Sequence, residues 1–241
     1  MKSFIQRTVF GTNYRWWALS IVSLAVFAST ADHGLVSISL PVIMTYFNAD
    51  MSFAGWIILI HSLVTGCLFI PLGRLSDLIG HKRIMSAGFL LYAIGSAVAA
   101  LSQTPSQLMA FRILQAIGNA LMMSNSFAIA TALFPEEERG KAMGISGGLI
   151  SALGFTLGPS LGGLLIHSLG WRSVFYVPAA LGIVGFIAAQ FLLQEQRMKI
   201  RLKRVKEPFD FLGMGIFIIG LTSLFIGLTT GQKGAWTSPL V

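Results

Sequence analysis

Four residues lie where an ordinary membrane-embedded chain would keep none. Asp32 and His33 stand inside the first apolar run, and Arg112 and Gln115 stand inside the fourth. Asp32 is the only acidic residue within an apolar run, and a charge at the centre of a membrane helix costs on the order of 2.5–3.5 kcal/mol by insertion scales, so a functional role is the default reading. Arg112 and Gln115 are three residues apart and share a helix face. An arginine in a span needs a partner or a wet cavity. From the outer side Asp32 and Arg112 enter at depths that differ by roughly 6 Å at 1.5 Å per residue, so an ion pair is expected, direct or through water. Such a set can hold a proton or release it: desolvation favours the protonated acid, while Arg112 favours the carboxylate. His33 is kept as an accessory proton group, although helix neighbours point about 100° apart. A metal reading of His33, His61 and His167 lacks any recurrent ligand spacing.

The elements that must hold these residues are apolar helices. Hydrophobic residues make up 54% of the 241 residues and charged ones only 11%, against roughly 25% charged in a soluble domain. Runs from about 16–44, 53–72, 84–102, 107–131, 141–167, 173–194 and 211–230 are each close to or longer than the ~20 residues that cross a hydrocarbon core. The first run exceeds a signal-peptide core, and further spans follow it. The single cysteine, Cys67, excludes an internal disulfide framework.

The net charge of +8 reads as topology rather than nucleic-acid binding. With the N-terminus inside, the inner segments hold Lys2, Arg7, Arg15, Arg74, Lys82, Arg83, Arg139, Lys141, Arg197, Lys199, Arg201, Lys203, Arg204 and Lys206, whereas only Arg172 and Lys233 fall outside. That bias predicts a cytoplasmic N-terminus in a multi-pass protein of the cell membrane. Met198, Leu202 and Val205 in the basic 195–210 linker could also lay a short helix on an anionic leaflet.

Three further segments are structural signals. Gly73 to Arg83 (GRLSDLIGHKR) reads as a tight polar loop holding Gly73, Asp77, Gly80, Lys82 and Arg83. In the fifth run Gly154, Gly158 and Gly162 recur every four residues, a smooth stripe for close approach of another helix, and Pro159 removes a backbone hydrogen bond. Pro135 and Glu136 to Glu138 suit a helix N-terminus.

These segments, in this order, resemble the major facilitator superfamily, in particular the N-terminal half of its 14-span drug/proton antiporters of the EmrB/QacA type. Gly73–Arg83 resembles the loop between spans two and three, D-H-G-L-V-S-I-S-L-P the first-span aspartate motif, and Arg112 with its neighbours the fourth-span motif. Gly154, Gly158, Pro159, Gly162 and Gly163 match the fifth-span antiporter motif. Gly34, Ser37 and Ser39 depart from that family's first-span pattern, Ala116 from its fourth and Pro178 from its sixth.

The resemblance implies an all-α integral membrane fold: a six-helix bundle of two inverted three-helix repeats over residues 1–194, the 195–210 cytoplasmic linker, and a seventh span with an external tail over 211–241. It implies proton-coupled export of small, cationic or amphipathic compounds, driven by the proton gradient without a cofactor. Asp32, Arg112, Gln115 and His33 would couple protons to substrate, and Asp77 and Arg83 would bias the conformational equilibrium. Protons, the bilayer, a small-molecule substrate, and a second transporter half or a second copy of the chain are the implied partners. The chain would stop before the partner of its seventh span. A same-fold exporter of a metabolite or siderophore, and a half-transporter inactive alone, remain alternatives; no nucleophile–base or metal constellation suggests an enzyme.

Overall fold

The computed structural model describes residues 14–195 and 210–230. Lys2 and Arg7, nearly all of the 195–210 linker with Met198, Leu202 and Val205, and the tail after Thr230 lie outside the described residues. The helices are α1 (Tyr14–Phe47), α2 (Met51–Ile79), α3 (His81–Ala100), α4 (Pro105–Leu133), α5 (Glu136–Leu169), α6 (Ser173–Leu192) and α7 (Phe211–Thr230). Among the described residues, α1 to α6 are each long and apolar enough to cross a membrane. Helix α7 is apolar over Leu212–Leu228 and lies against α2, where Cys67 Sγ is 3.7 Å from Thr222 Oγ1.

Local chemistry sets the helix ends. Asp50 accepts a hydrogen bond from the Phe53 amide at 2.9 Å to cap α2. Thr104 caps α4 by accepting from the Gln107 amide at 3.3 Å, with Pro105 in the first turn, where its missing N–H is no loss. Glu136 to Glu138 occupy the first turn of α5, as expected. Gly170, at φ +80°, ends α5 in a conformation that side chains rarely adopt.

One expected loop is mostly helix. Nothing between Arg74 and Ile79 interrupts backbone hydrogen bonding, so α2 continues to Ile79, where the Gly80 amide still donates to Ser76 O at 2.9 Å. Gly80 alone, at φ +115°, joins α2 to α3. Gly73, Asp77, Lys82 and Arg83 therefore stand on helix ends. A second departure is a π-helical segment, Gly144–Ile150, within α5. Its glycines at 144, 147 and 148 meet nothing within 4 Å where a Cβ would stand.

The packing has an internal symmetry. Helix α2 packs on α4, and α5 packs on α1, so the middle helix of each three-helix unit lies against the first helix of the other. The third helices, α3 and α6, pack on each other. Short turns make consecutive helices antiparallel, so corresponding helices of the two units run in opposite directions, as inverted repeats require.

Close packing comes from small residues. A Cβ at Gly118 would meet the Gly88 carbonyl oxygen at 2.9 Å, and one at Gly95 would meet the Gln115 backbone at 2.6 Å, so α3 and α4 touch backbone to backbone. Two apolar layers result. One, with Tyr14, Ile21, Met85, Phe89, Met122 and Leu193, fills the end that carries Gly80. The other, with Leu35, Ile43, Ile57, Leu108, Trp171 and Phe175, fills the end that carries Gly170.

Candidate functional site

Between the two apolar layers lies a buried polar network. Along α1, Asp32 falls between Ala28 of one layer and Leu35 of the other; along α4, Arg112 and Gln115 fall between Leu108 and Met122. The face of α1 that carries Ala31, Gly34, Leu35 and Ile38 is taken by α5. That contact turns Asp32 toward α4.

Arg112 Nη1 donates to Asp32 Oδ2 at 2.8 Å and to Gln115 Oε1 at 2.6 Å. Gln115 Nε2 donates to Asp32 Oδ1 at 3.0 Å and to Ser96 Oγ at 2.8 Å. Ser96 in turn donates to Tyr92 O at 2.7 Å, and the Tyr92 hydroxyl donates to Ala28 O at 2.9 Å, fastening α3 to α1. Asp32, Arg112 and Gln115 are all 0% exposed. The ion pair is thus direct, and Asp32 does not reach water by snorkelling. Arg112 Nη2, however, has no hydrogen-bond partner. The guanidinium carbon lies 6.0 Å from the centre of the Phe175 ring, a weak cation–π contact.

His33 makes no hydrogen bond to Asp32 in this arrangement. Its ring lies edge-on to His61, with centroids 5.3 Å apart, and stacks on Phe155 at 6.5 Å. His61, which the sequence offered only as an unsupported metal ligand, joins this group. It is fully buried, and its Nε2 lies 4.0 Å from Asp32 Oδ2. Its position inside the second apolar run was the available signal. His167 stands in the last turn of α5, away from this group.

The glycine stripe does what its spacing suggests, and α1 is its partner. A Cβ at Gly158 would meet Ala31 O at 2.8 Å and Gly34 Cα at 3.1 Å, while one at Gly162 would meet Ile38 Cγ2 at 2.6 Å. Gly154 faces Thr30 in the same way, and Pro159 Cδ would lie 2.6 Å from a Cβ on Gly34. Gly163 is the exception. It faces open space, because it sits one step round the helix from Gly162.

At the end that carries Gly80, a carboxylate from beyond α6 completes the turn. Glu195 Oε1 accepts from the His81 amide at 2.9 Å and Oε2 from the Lys82 amide at 2.8 Å, satisfying two of the unpaired donors at the start of α3. Lys82 Nζ donates to Gln190 O at 2.7 Å, and His81 Nδ1 pairs with Asn125 Oδ1 at 2.8 Å. Asp77 Oδ1 lies 3.4 Å from His81 Nε2, and Arg83 is exposed. Glu195 was not singled out in the sequence, where it is one acid before a basic run. Replacing it with Ala should cost about 1 kcal/mol, as loss of a helix cap does. Hydrogen–deuterium exchange at the His81 and Lys82 amides should accelerate severalfold; unchanged protection there would remove Glu195 as the cap.

Comparison with known proteins gives this geometry a family. The Major Facilitator Superfamily matches residues 22–239. Among curated relatives, the chain is 31% identical to the riboflavin transporter RibZ of Clostridioides difficile, over 91% of this chain and 47% of that one. It is 30% identical to the puromycin resistance protein pur8 of Streptomyces alboniger, over 94% of this chain and 44% of that one. It is 32% identical to the multidrug resistance protein Stp of Mycobacterium tuberculosis, over 91% and 40%. The chain thus spans less than half the length of these relatives. Among solved structures, a bacterial homologue of the human lysosomal transporter Spinster, inward-facing and unoccupied, superposes with a TM-score of 0.61 at 22% identity, over 77% of this chain and 44% of that one. Paired inverted three-helix units, six apolar helices of membrane-crossing length and a sequence match along nearly the whole chain make this protein a member of the Major Facilitator Superfamily.

Proposed function

We propose that this chain supplies the proton-binding bundle of an exporter for small cationic or amphipathic compounds, of the 14-span drug/proton antiporter type. The observation that carries the reading is the buried Asp32–Arg112–Gln115 network at the centre of the bundle. A buried ion pair is a poor way to gain stability, because desolvating both charges offsets their attraction. Its use lies in having two states. A proton on Asp32 cancels the charge that holds Arg112, and Nη1 keeps only Gln115 Oε1 as partner. A cationic substrate competes for the same carboxylate, so proton and substrate exclude one another. A proton moving inward across the membrane supplies about 2.3 kcal/mol per 100 mV.

In this reading the N-terminus is cytoplasmic, on the bias of Lys and Arg, and a second bundle or second copy completes the transporter. Relatives named for multidrug and puromycin resistance support an exporting role. The riboflavin transporter among them favours, as a second reading, an uncharged organic substrate on the same site.

The test is exchange in liposomes. The full chain is reconstituted, a pH gradient is imposed, and movement of a cationic dye or of riboflavin is followed beside Asp32→Asn. Gradient-driven dye movement that falls at least tenfold in the variant is the expected result. Movement of riboflavin alone would select the second reading. Equal rates in both proteins would remove Asp32 from coupling, and no movement in either would refute activity of this chain by itself.

A further inference from the structure

The network described so far leaves one buried titratable side chain without a task. His61 is 0% exposed, and neither ring nitrogen has a hydrogen-bond partner. Buried polar atoms are nearly always paired, so two orphans on one ring call for an explanation. The groups around it are few. Asp32 and His33 face it from α1, with Asp32 Oδ2 at 4.0 Å from Nε2 and the His33 ring at 5.3 Å. Arg112 faces it from α4, its Nε reaching toward Ile57 O, one helical turn before His61. Helix α7, on the other side of α2, has no ionisable residue in Leu212–Leu228.

We infer that His61 is a second proton-binding residue of the Asp32 site, and that His33 stands on the route to it. This rests on the proton-coupled reading above and deepens it. The geometry supplies the reason. Asp32 Oδ2 already accepts from Arg112, so a proton placed there breaks the ion pair. A proton placed on His61 leaves the pair intact and adds one positive charge that the Asp32 carboxylate favours and the Arg112 guanidinium opposes. Transfer then needs one small step. The Nε2–H bond of the His61 cation breaks, an O–H bond forms at Asp32 Oδ2, and the imidazole returns to neutral. At 4.0 Å the two atoms are just beyond hydrogen-bonding distance, which a side-chain rotation or one bridging water closes. His33 is only partly buried, so the imidazole pair links the carboxylate to the less enclosed side of α1.

The experiment uses the full chain in lipid nanodiscs with 15N-labelled histidine. Nitrogen NMR shifts report the charge on each ring, and the His61 signals are assigned by their loss in His61→Gln. The expected result is a ring that gains its proton as the pH falls while the bundle stays folded, and whose protonated fraction at fixed pH changes at least threefold in Asp32→Asn. A His61 ring that stays neutral at every pH at which the bundle is folded, or that titrates identically with and without the Asp32 carboxylate, overturns the inference. A second arm counts protons moved per substrate in liposomes. His61→Gln is expected to lower that ratio, with His33→Gln slowing exchange without changing it. If no exchange occurs in any protein, the transport reading fails, and the NMR arm still decides the role of His61.

Discussion

Arg112→Leu should be the most damaging single substitution in this protein. It leaves the Asp32 carboxylate fully buried with the Gln115 amide as its remaining hydrogen-bond donor in the network. Removing one partner of a buried ion pair typically costs about 3–5 kcal/mol, because the other charge stays desolvated and unpaired. Unfolding followed by tryptophan fluorescence in detergent should show a large drop in midpoint, and dye exchange should vanish. The control is the double variant Asp32→Asn/Arg112→Leu, in which no charge is stranded. It should recover most of the stability but none of the exchange. That split separates the energetic role of the pair from its chemical one. Arg112→Leu as stable as the parent would mean that water, or a different partner, satisfies Asp32.

Gly158→Val should be nearly as harmful, while Gly163→Val, five positions further along the same helix, should be tolerated. A Cβ at 158 would stand 2.8 Å from Ala31 O and 3.1 Å from Gly34 Cα. Both contacts are backbone atoms, so no rotamer change relieves them. Overpacking of this kind costs about 1–3 kcal/mol. Here the strain falls on the contact that orients α1, so the Asp32–Arg112 distance should also lengthen. At 163 nothing lies within 4 Å. The pair of variants is to be compared by thermal unfolding and by Asp32-dependent exchange. Equal behaviour of the two would mean that the glycine run serves composition in the bilayer rather than the α1–α5 contact.

Much of the architecture was legible in the chain because the bilayer makes it a local property. A helix of about 20 apolar residues is dictated by hydrocarbon thickness and by the need to satisfy every backbone group internally. The runs read from composition therefore fall on the helices, and the seventh agrees at both ends, Phe211–Thr230. Asp32, Arg112 and Gln115 were legible as candidates for the complementary reason: charged and strongly polar side chains are costly in such runs and stand out from them. The four-residue glycine period likewise announced a face for close approach, since spacing alone decides which residues share a helix side.

Spacing does not say which helix comes to that face, or how far round it the contact extends. Only the packing decided that the stripe meets α1 and that Gly163 stands outside it. The same limit hid His61. Its distance in sequence from His33 and Asp32 carries no sign of contact, and a histidine in an apolar run reads equally well as a core residue. The Gly73–Arg83 segment failed in the opposite way. Its charges suggested a loop, yet helical hydrogen bonding continues to Ile79 because only Gly80 adopts a conformation that a helix cannot hold. Composition thus determined that these helices form and where they are polar. The small residues that let backbones touch, distributed over six helices at once, decided how each helix is turned and therefore which polar groups meet.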